Sequence, residues 1–342
     1  MQVLFGAMRG GLALSVMLIG IILAASAGVI GASVVLLGVM SLQTMMKQNY
    51  SKPMATGTIA ASGTLGILIP PSIMLVVMSD QLSISLGDLF MGALFPGLLL
   101  GVLYIVFIIT YGLISPNSMP LPDNREPVTM KAVGDVLLSV IPPFALIILV
   151  LGSIFYGWAT PTEASGLGAL GATLLALFSR RLTVKIFLDV MRQTLNTSGF
   201  IIAIFIAANF FAYVLRLYGG DETIEHMVAG SFENPAHIVL FILFIVFLLG
   251  FLLDWIEITL IIMPLMLPIV QGLDIAINGY GVVGDPVVVW FALLVAVTLQ
   301  TSFLPPPVGF ALFYLKGVCP PGDKPVRWHD PMRHRAWGCG RH

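Results

Sequence analysis

Two stretches of this 342-residue chain place hydroxyl side chains just before prolines in apolar surroundings. The first is Thr58-Ile59-Ala60-Ala61-Ser62-Gly63-Thr64-Leu65-Gly66-Ile67-Leu68-Ile69-Pro70-Pro71-Ser72. Pro70 and Pro71 remove two backbone donors and clash with the preceding turn, while Gly63 and Gly66 weaken the helix ahead of them. Carbonyls released in this way need a partner at membrane depth, and a small cation is a natural one. Ser62, Thr64 and Ser72 add neutral oxygens suited to dehydrated Na⁺. The second stretch, Thr298-Leu299-Gln300-Thr301-Ser302-Phe303-Leu304-Pro305-Pro306-Pro307-Val308-Gly309, repeats the recipe, and Gln300 adds an amide. Each stretch taken alone also fits a proline kink whose Ser and Thr bond their own backbone. Their recurrence favours a functional pair.

Two shorter segments add candidates. Ser26-Ala27-Gly28-Val29-Ile30-Gly31-Ala32-Ser33 is small and polar, as a tight turn inside a membrane requires; the same small residues also suit close helix packing. Asp254-Trp255-Ile256-Glu257 sets two carboxylates where one apolar run gives way to the next, and their i,i+3 spacing puts both on one helix face. Acids within a membrane are costly and mark function by default. The alternative is that Asp254 is an N-cap and Glu257, at N3, completes a capping box; an ion or proton role for Glu257 is compatible with either. Glu163, in Thr160-Pro161-Thr162-Glu163, reads as a helix start, and Asn209 as a hydrogen bond between helices.

These residues sit in a chain that is 58% hydrophobic and only 10% charged, where an ordinary soluble domain carries about 25% charge. So much apolar surface does not fit inside a water-soluble globule. Soluble enzymes, nucleic-acid binders and disordered scaffolds are set aside. The apolar runs are long, which favours helices over the short alternating strands of an outer-membrane barrel. An all-α polytopic membrane protein is expected. No Walker motif and no intramembrane-protease Gly-x-Gly-Asp occur, so neither ATP-driven transport nor an enzyme is expected. Cys319 and Cys339 imply no disulfide framework, and the tail histidines imply no metal site.

Apolar runs cover 11–25 and 29–46, 54–80, 88–115, 131–158, 163–178, 196–217, 236–253 and 255–270, and 287–318. Several limbs fall short of the ~20 residues of a full span, which favours re-entrant hairpins. The basic segment from Arg180 to Arg192 is placed in the cytoplasm. Alternation then sets Arg9, Lys47, Lys52, Arg125, Lys131 and Lys316 on the same side, and only Arg216 outside. The hairpins 11–46 and 236–270 open from opposite sides, and each precedes a broken run. Two such units in opposite orientation, with breaks at matching places, point to a secondary transporter. The expected organisation is a first repeat at 1–115 (hairpin 11–46, broken helix 54–80, span 88–115). Central spans with a basic arm follow at 116–195, then a second repeat at 196–318 (hairpin 236–270, broken helix 287–318). An atypical polar tail occupies 319–342.

Six motifs together resemble the large permease of tripartite ATP-independent periplasmic (TRAP) transporters, a DctM-like family. They are Arg9-Gly10-Gly11-Leu12-Ala13, the Ser62–Ser72 block, Leu89-Phe90…Gly92-Ala93…Pro96-Gly97, Trp158-Ala159-Thr160-Pro161-Thr162-Glu163-Ala164, Phe251-Leu252-Leu253-Asp254-Trp255-Ile256-Glu257-Ile258 and Leu299–Phe310. The resemblance runs from about residue 5 to about residue 320. It implies an elevator-type ion transporter of the bacterial inner membrane that couples entry of an organic acid anion to Na⁺, with no other cofactor. It also implies a periplasmic solute-binding protein and a small four-helix membrane subunit as partners. Carried over, one Na⁺ site would join Ser26, Gly28 and Ser33 to Ser62, Gly63, Thr64 and Gly66. A second would join Asp254 and Glu257 to Thr298, Gln300, Thr301 and Ser302, and the anion would sit between the hairpin tips. Relatives of the resembled family extend beyond both ends, so a truncated, inactive permease is the competing expectation. A related Na⁺-coupled carrier that needs no binding protein is a third.

Overall fold

A computed structural model describes residues 5, 8–121, 130–180, 182–220, 223–224, 227, 232, 234–277, 279, 282, 284–305 and 309–319. Among these residues every regular element is helical. Pro306, Pro307 and the tail from residue 320 lie outside the described residues. The side chains of Ser26 and Ala27 do too, although their backbone is helical.

The helices divide into two compact units, each built from separated pieces of chain. The first draws on Met1–Ser72, Leu94–Ile141 and Phe303–His342, the second on Ile73–Ala93 and Pro142–Ser302.

The first unit begins with a hairpin. Helix α1 (Gly11–Ala27) ends where Gly28 takes φ +62, a conformation that L side chains rarely adopt, and the chain reverses into α2 (Ile30–Leu37). Ile30, Ser33, Val34 and Leu37 are buried at i, i+3, i+4 and i+7, so one face of α2 seats the limb. A π-helical turn (Gly38–Leu42) then carries α2 into α3 (Gln43–Lys47). After a loop, α4 (Lys52–Thr64) packs against both limbs. Its last turn tightens to 3₁₀ geometry over Leu65–Ile67. The helix stops there, because Pro70 and Pro71 have no N–H for the carbonyls of Gly66 and Ile67. The Ser72 hydroxyl replaces one of the missing donors, reaching the Ile67 carbonyl at 2.6 Å.

In that loop Tyr50 is buried, and its phenolic oxygen accepts the backbone N–H groups of Leu12 and Ala13. These are first-turn donors of α1 that have no partner within their own helix. Burial dominates and pushes the phenol above its ordinary range, against the lowering effect of the two donors.

The second unit opens with α5 (Ile73–Gln81) and the start of α6 (Leu86–Ile114), and continues with the later part of α7 (Met130–Phe155) and α8 (Pro161–Phe178). Glu163 does mark a helix start: Thr160 and Glu163 form a capping box at α8, with the carboxylate accepting both the N–H and the hydroxyl of Thr160. Those two donors hold the Glu163 carboxyl below its usual range.

Helix α9 (Val184–Leu217) is longer than the apolar run 196–217 suggested. The Thr183 hydroxyl accepts the Ile186 N–H, and good helix formers carry the helix through the basic segment. Asn209 turns its amide back to the Phe205 carbonyl of the same helix rather than to a neighbour. The second hairpin follows: α10 (Pro235–Leu249), a turn, α11 (Trp255–Glu257), a π-helical turn (Ile258–Ile262) and α12 (Met263–Gln271).

Helix α13 (Pro286–Ser302) buries Val288, Phe291, Ala292, Val295, Leu299 and Ser302 along one face and forms the core of this unit. The chain then re-enters the first unit, where α14 (Phe310–Val318) packs on the first hairpin. Gly31 lies under the Tyr314 ring, and Gly38 faces Leu315 and Val318. Ile30–Lys47, Leu86–Ile114 and Val184–Leu217 are long and apolar enough to cross a bilayer. The limb Ile30–Lys47 therefore reaches spanning length through its π turn, where the sequence suggested a short limb.

Candidate functional site

Each unit brings one hairpin against a helix that ends at a break. In the first, Gly63 lies so close to α2 that a Cβ there would stand 2.4 Å from Val34 Cγ2 and 3.0 Å from the Val34 backbone nitrogen. Gly20 of α1 approaches Ser62 equally closely: an added Cβ would sit 2.3 Å from Ser62 Cβ. The structure therefore gathers Gly63, Ser62 and the limb residues around Ser33 and Val34. Gly28 forms the turn above them, and Thr64 and Gly66 continue α4 into the break.

Ser62 and Thr64 donate their hydroxyl protons to the carbonyls of Ile59 and Ala61, both at 3.0 Å. That leaves oxygen lone pairs, not protons, to face a ligand. Ser33 Oγ and Thr58 Oγ1 are buried without a hydrogen-bond partner. Buried oxygens of this kind are costly unless something completes them. Thr58 was not among the residues singled out from the sequence; its cue is its place one turn before Ser62 in the same run.

The second unit repeats the arrangement with different residues. Gly250, at the end of α10, faces Ser302, and an added Cβ would lie 2.9 Å from Ser302 Cβ. Ser302 donates to the Leu299 carbonyl at 2.9 Å, Thr301 to Thr298 at 2.8 Å and Thr298 to Leu294 at 2.8 Å. Gln300 and Ser302 are fully buried, whereas Thr298 and Thr301 are half-buried. Asp254 is the N-cap of α11, accepting the Trp255 N–H at 2.8 Å. A capping box does not form: Asp254 accepts from Trp255 at N1 rather than from Glu257 at N3, and Glu257 Oε2 is buried without a hydrogen-bond partner. Thr259 Oγ1, inside the π turn, is a further buried oxygen without a partner. Sequence reasoning missed it, although a lone threonine in Ile258-Thr259-Leu260 is a visible signal.

Electrostatics point the same way in both places. Helices α4 and α13 direct their C-terminal, partially negative ends at the breaks, and π turns interrupt the second limb of each hairpin. Helix C-termini, freed carbonyls and neutral hydroxyls are the donor set that coordinates Na⁺ in broken-helix transporters. At the second break Gly309 adopts φ +54, and a Cβ there would meet the carbonyls of Pro305 at 3.1 Å and Leu304 at 3.3 Å. Among the described residues no group of three His, Cys, Asp or Glu forms a metal site.

Comparison with known proteins decides the family. Residues 1–333 match the family described as "Tripartite ATP-independent periplasmic transporter, DctM component". The chain belongs to the DctM family. It is 32% identical over 320 residues to the C4-dicarboxylate TRAP transporter large permease protein DctM of Pseudomonas aeruginosa, covering 92% of this chain and 70% of that one. The isethionate TRAP transporter permease protein DctMQ of Oleidesulfovibrio alaskensis is 29% identical over 316 residues, covering 92% of this chain and 47% of that protein. The sialic acid TRAP transporter large permease protein SiaM of Vibrio cholerae is 28% identical over 295 residues, covering 84% and 64%. The chain thus spans about half to two-thirds of the length of these relatives. The family is one of membrane transporter components.

Proposed function

We propose that this chain forms the large membrane part of a TRAP transporter that imports an organic acid anion by Na⁺-coupled secondary transport. One observation supports this best. In each unit a serine just ahead of a helix break is pressed against a hairpin glycine, Ser62 on Gly20 and Ser302 on Gly250, beside buried oxygens that have no hydrogen-bond partner. Two matching donor sets of this kind are what two Na⁺ sites require. Ser26, Gly28, Ser33, Ser62, Gly63, Thr64 and Gly66 would serve the first. Asp254, Glu257, Thr298, Gln300, Thr301 and Ser302 would serve the second.

Residues 1–115 and 196–318 are read as inverted repeats of an elevator-type carrier in the bacterial inner membrane. The helix ends bearing Lys47, Lys52 and Lys185 are read as facing the cytoplasm. A periplasmic binding protein would deliver the anion, and a small four-helix subunit would complete the membrane assembly. The relatives named for isethionate, C4-dicarboxylates and sialic acid support an organic acid as the substrate class.

The test is uptake of radiolabelled organic acids into proteoliposomes containing the full chain, the small subunit and the neighbouring binding protein. Uptake is expected with an inward Na⁺ gradient and is expected to vanish when K⁺ replaces Na⁺. Uptake of equal rate in the two gradients would refute the coupling.

A further inference from the structure

Helix α9 has 34 residues and is therefore about 51 Å long, against a hydrocarbon core of about 30 Å. Its apolar run from Phe200 to Leu217 suffices for the core; Val184–Gly199 is surplus. That surplus is not an ordinary polar extension. Val184, Phe187, Leu188, Met191 and Leu195 recur at i, i+3, i+4, i+7 and i+11 and make one apolar face. Lys185, Asp189, Arg192, Gln193 and Asn196 occupy the opposite stripe. Every residue from Thr183 to Phe200 is exposed, and Val184 and Leu195 are 77% and 72% exposed. The described residues therefore leave this apolar face uncovered. Arg180, exposed at the start of the connection from α8, and Arg181, its neighbour in sequence, precede it. Arg180, Arg181, Lys185 and Arg192 less Asp189 give a net charge of +3 over residues 180–192.

We infer that Arg180 and residues 182–195 form a docking surface for anionic phospholipid. The apolar face enters the boundary between headgroups and acyl chains, and Arg180, Lys185 and Arg192 bind lipid phosphates. A tilt of about 35° would fit the whole of α9 within about 42 Å, the thickness of a bilayer with its headgroups. Amphipathic helices with a basic polar face bind membranes in this way, and their charge selects anionic lipid. The inference requires only that the chain lies in a bilayer, so it stands or falls apart from Na⁺ coupling.

The experiment uses the full chain, with both cysteines changed to serine and Leu188→Cys carrying a fluorescent probe. The protein is placed in nanodiscs of phosphatidylcholine alone, with 30% phosphatidylglycerol, or with cardiolipin. The probe is expected to be quenched by shallow brominated lipid in the anionic discs, and co-purified lipid to be enriched in the anionic species. Arg180→Gln, Lys185→Gln and Arg192→Gln should each lower that enrichment about fivefold, the effect of one basic residue at an anionic surface. Asp189→Asn should raise it, which keeps the test decisive if the neutralised variants fold poorly. The relative yield with phosphatidylglycerol and cardiolipin identifies the preferred headgroup. Enrichment unchanged by all four substitutions would overturn the inference. So would a probe shielded only when the small membrane subunit is added, whatever the lipid; the face would then be a protein interface.

Discussion

Gly57 and Gly63 lie six residues apart on α4, and replacing each by alanine should change stability in opposite directions. In a helix interior the replacement is worth about 1 kcal/mol in favour of alanine. At Gly57 nothing lies within 4 Å of the new Cβ, so that gain of about 0.5–1 kcal/mol is realised. At Gly63 the new Cβ meets Val34 Cγ2 at 2.4 Å, Val34 N at 3.0 Å and Val34 Cα at 3.1 Å. The methyl group could rotate away, but the backbone atoms cannot, so α2 must shift. Overpacking of this kind costs about 1–3 kcal/mol, which outweighs the helix gain. Val34→Ala in the same chain should restore only part of the loss, because it removes Cγ2 and leaves the two backbone contacts. The assay is a denaturant titration of the purified chain in micelles, with Na⁺ and with choline. Gly57→Ala should keep the Na⁺ stabilisation, and Gly63→Ala should lose most of it as the limb bearing Ser33 moves off α4. A Gly63→Ala chain as stable as Gly57→Ala, with undiminished Na⁺ stabilisation, would refute both the packing argument and the placing of a cation there.

Ser62→Ala and Thr301→Ala should each weaken Na⁺-dependent uptake by about tenfold, as loss of an oxygen ligand to a charged group worth ~1.5 kcal/mol requires, without preventing membrane insertion; uptake titrated against Na⁺ measures this. Tyr50→Phe removes the acceptor for Leu12 and Ala13 and should cost about 1–3 kcal/mol in a denaturant titration, since it leaves buried donors unpaired. Burial raises the Tyr50 phenol, so its contribution is complete below the unfolded value near ~10 and is lost as pH rises through the folded value. The alkaline loss of stability should shrink in Tyr50→Phe. Glu163 behaves in the opposite sense: its lowered carboxyl stabilises above the unfolded value, and that stability disappears as pH falls through the folded one. Glu163→Gln should flatten the acid limb of the stability profile, read by thermal unfolding from neutral to acid pH.

The helical class was legible in composition alone, and the helix ends lie near the ends of the apolar runs because Gly28, Pro70, Pro71 and Pro161 are strong local signals. Three features were not legible. The extension of α9 back to Val184 escaped the apolar pattern because its first turns are amphipathic, and hydropathy averages the two faces together. The π turns at Gly38–Leu42 and Ile258–Ile262 have no residue signature, since a one-residue slip in the hydrogen-bond ladder is set by packing. The pairing of Gly20 with Ser62 and of Gly250 with Ser302 is a tertiary fact; the serines were visible beside the prolines, but nothing in the sequence names the glycine that meets each one. Asp254 shows the opposite limit. Its spacing to Glu257 suggested a capping box, and only the structure shows one carboxylate capping while an oxygen of the other stays without a partner.

The prolines carry a second meaning beside the cation chemistry that first drew attention to them. The chain changes unit at Ser72/Ile73, Ala93/Leu94, Ile141/Pro142 and Ser302/Phe303. Pro71, Pro96, Pro142 and Pro305 each lie within two residues of one of these junctions. Pro96 denies a donor to the Gly92 carbonyl inside α6, and Pro142 and Pro143 deny donors to Leu138 and Ser139 inside α7. Proline by itself is therefore not an ion site, since α6 and α7 continue through theirs as helix and Pro268 lies inside α12 away from any junction. What sets Pro70–Pro71 and Pro305 apart is that the helix does stop there, one turn or two beyond a buried serine held against a hairpin glycine. That combination, rather than the proline, is what a search of related chains for the same chemistry should require.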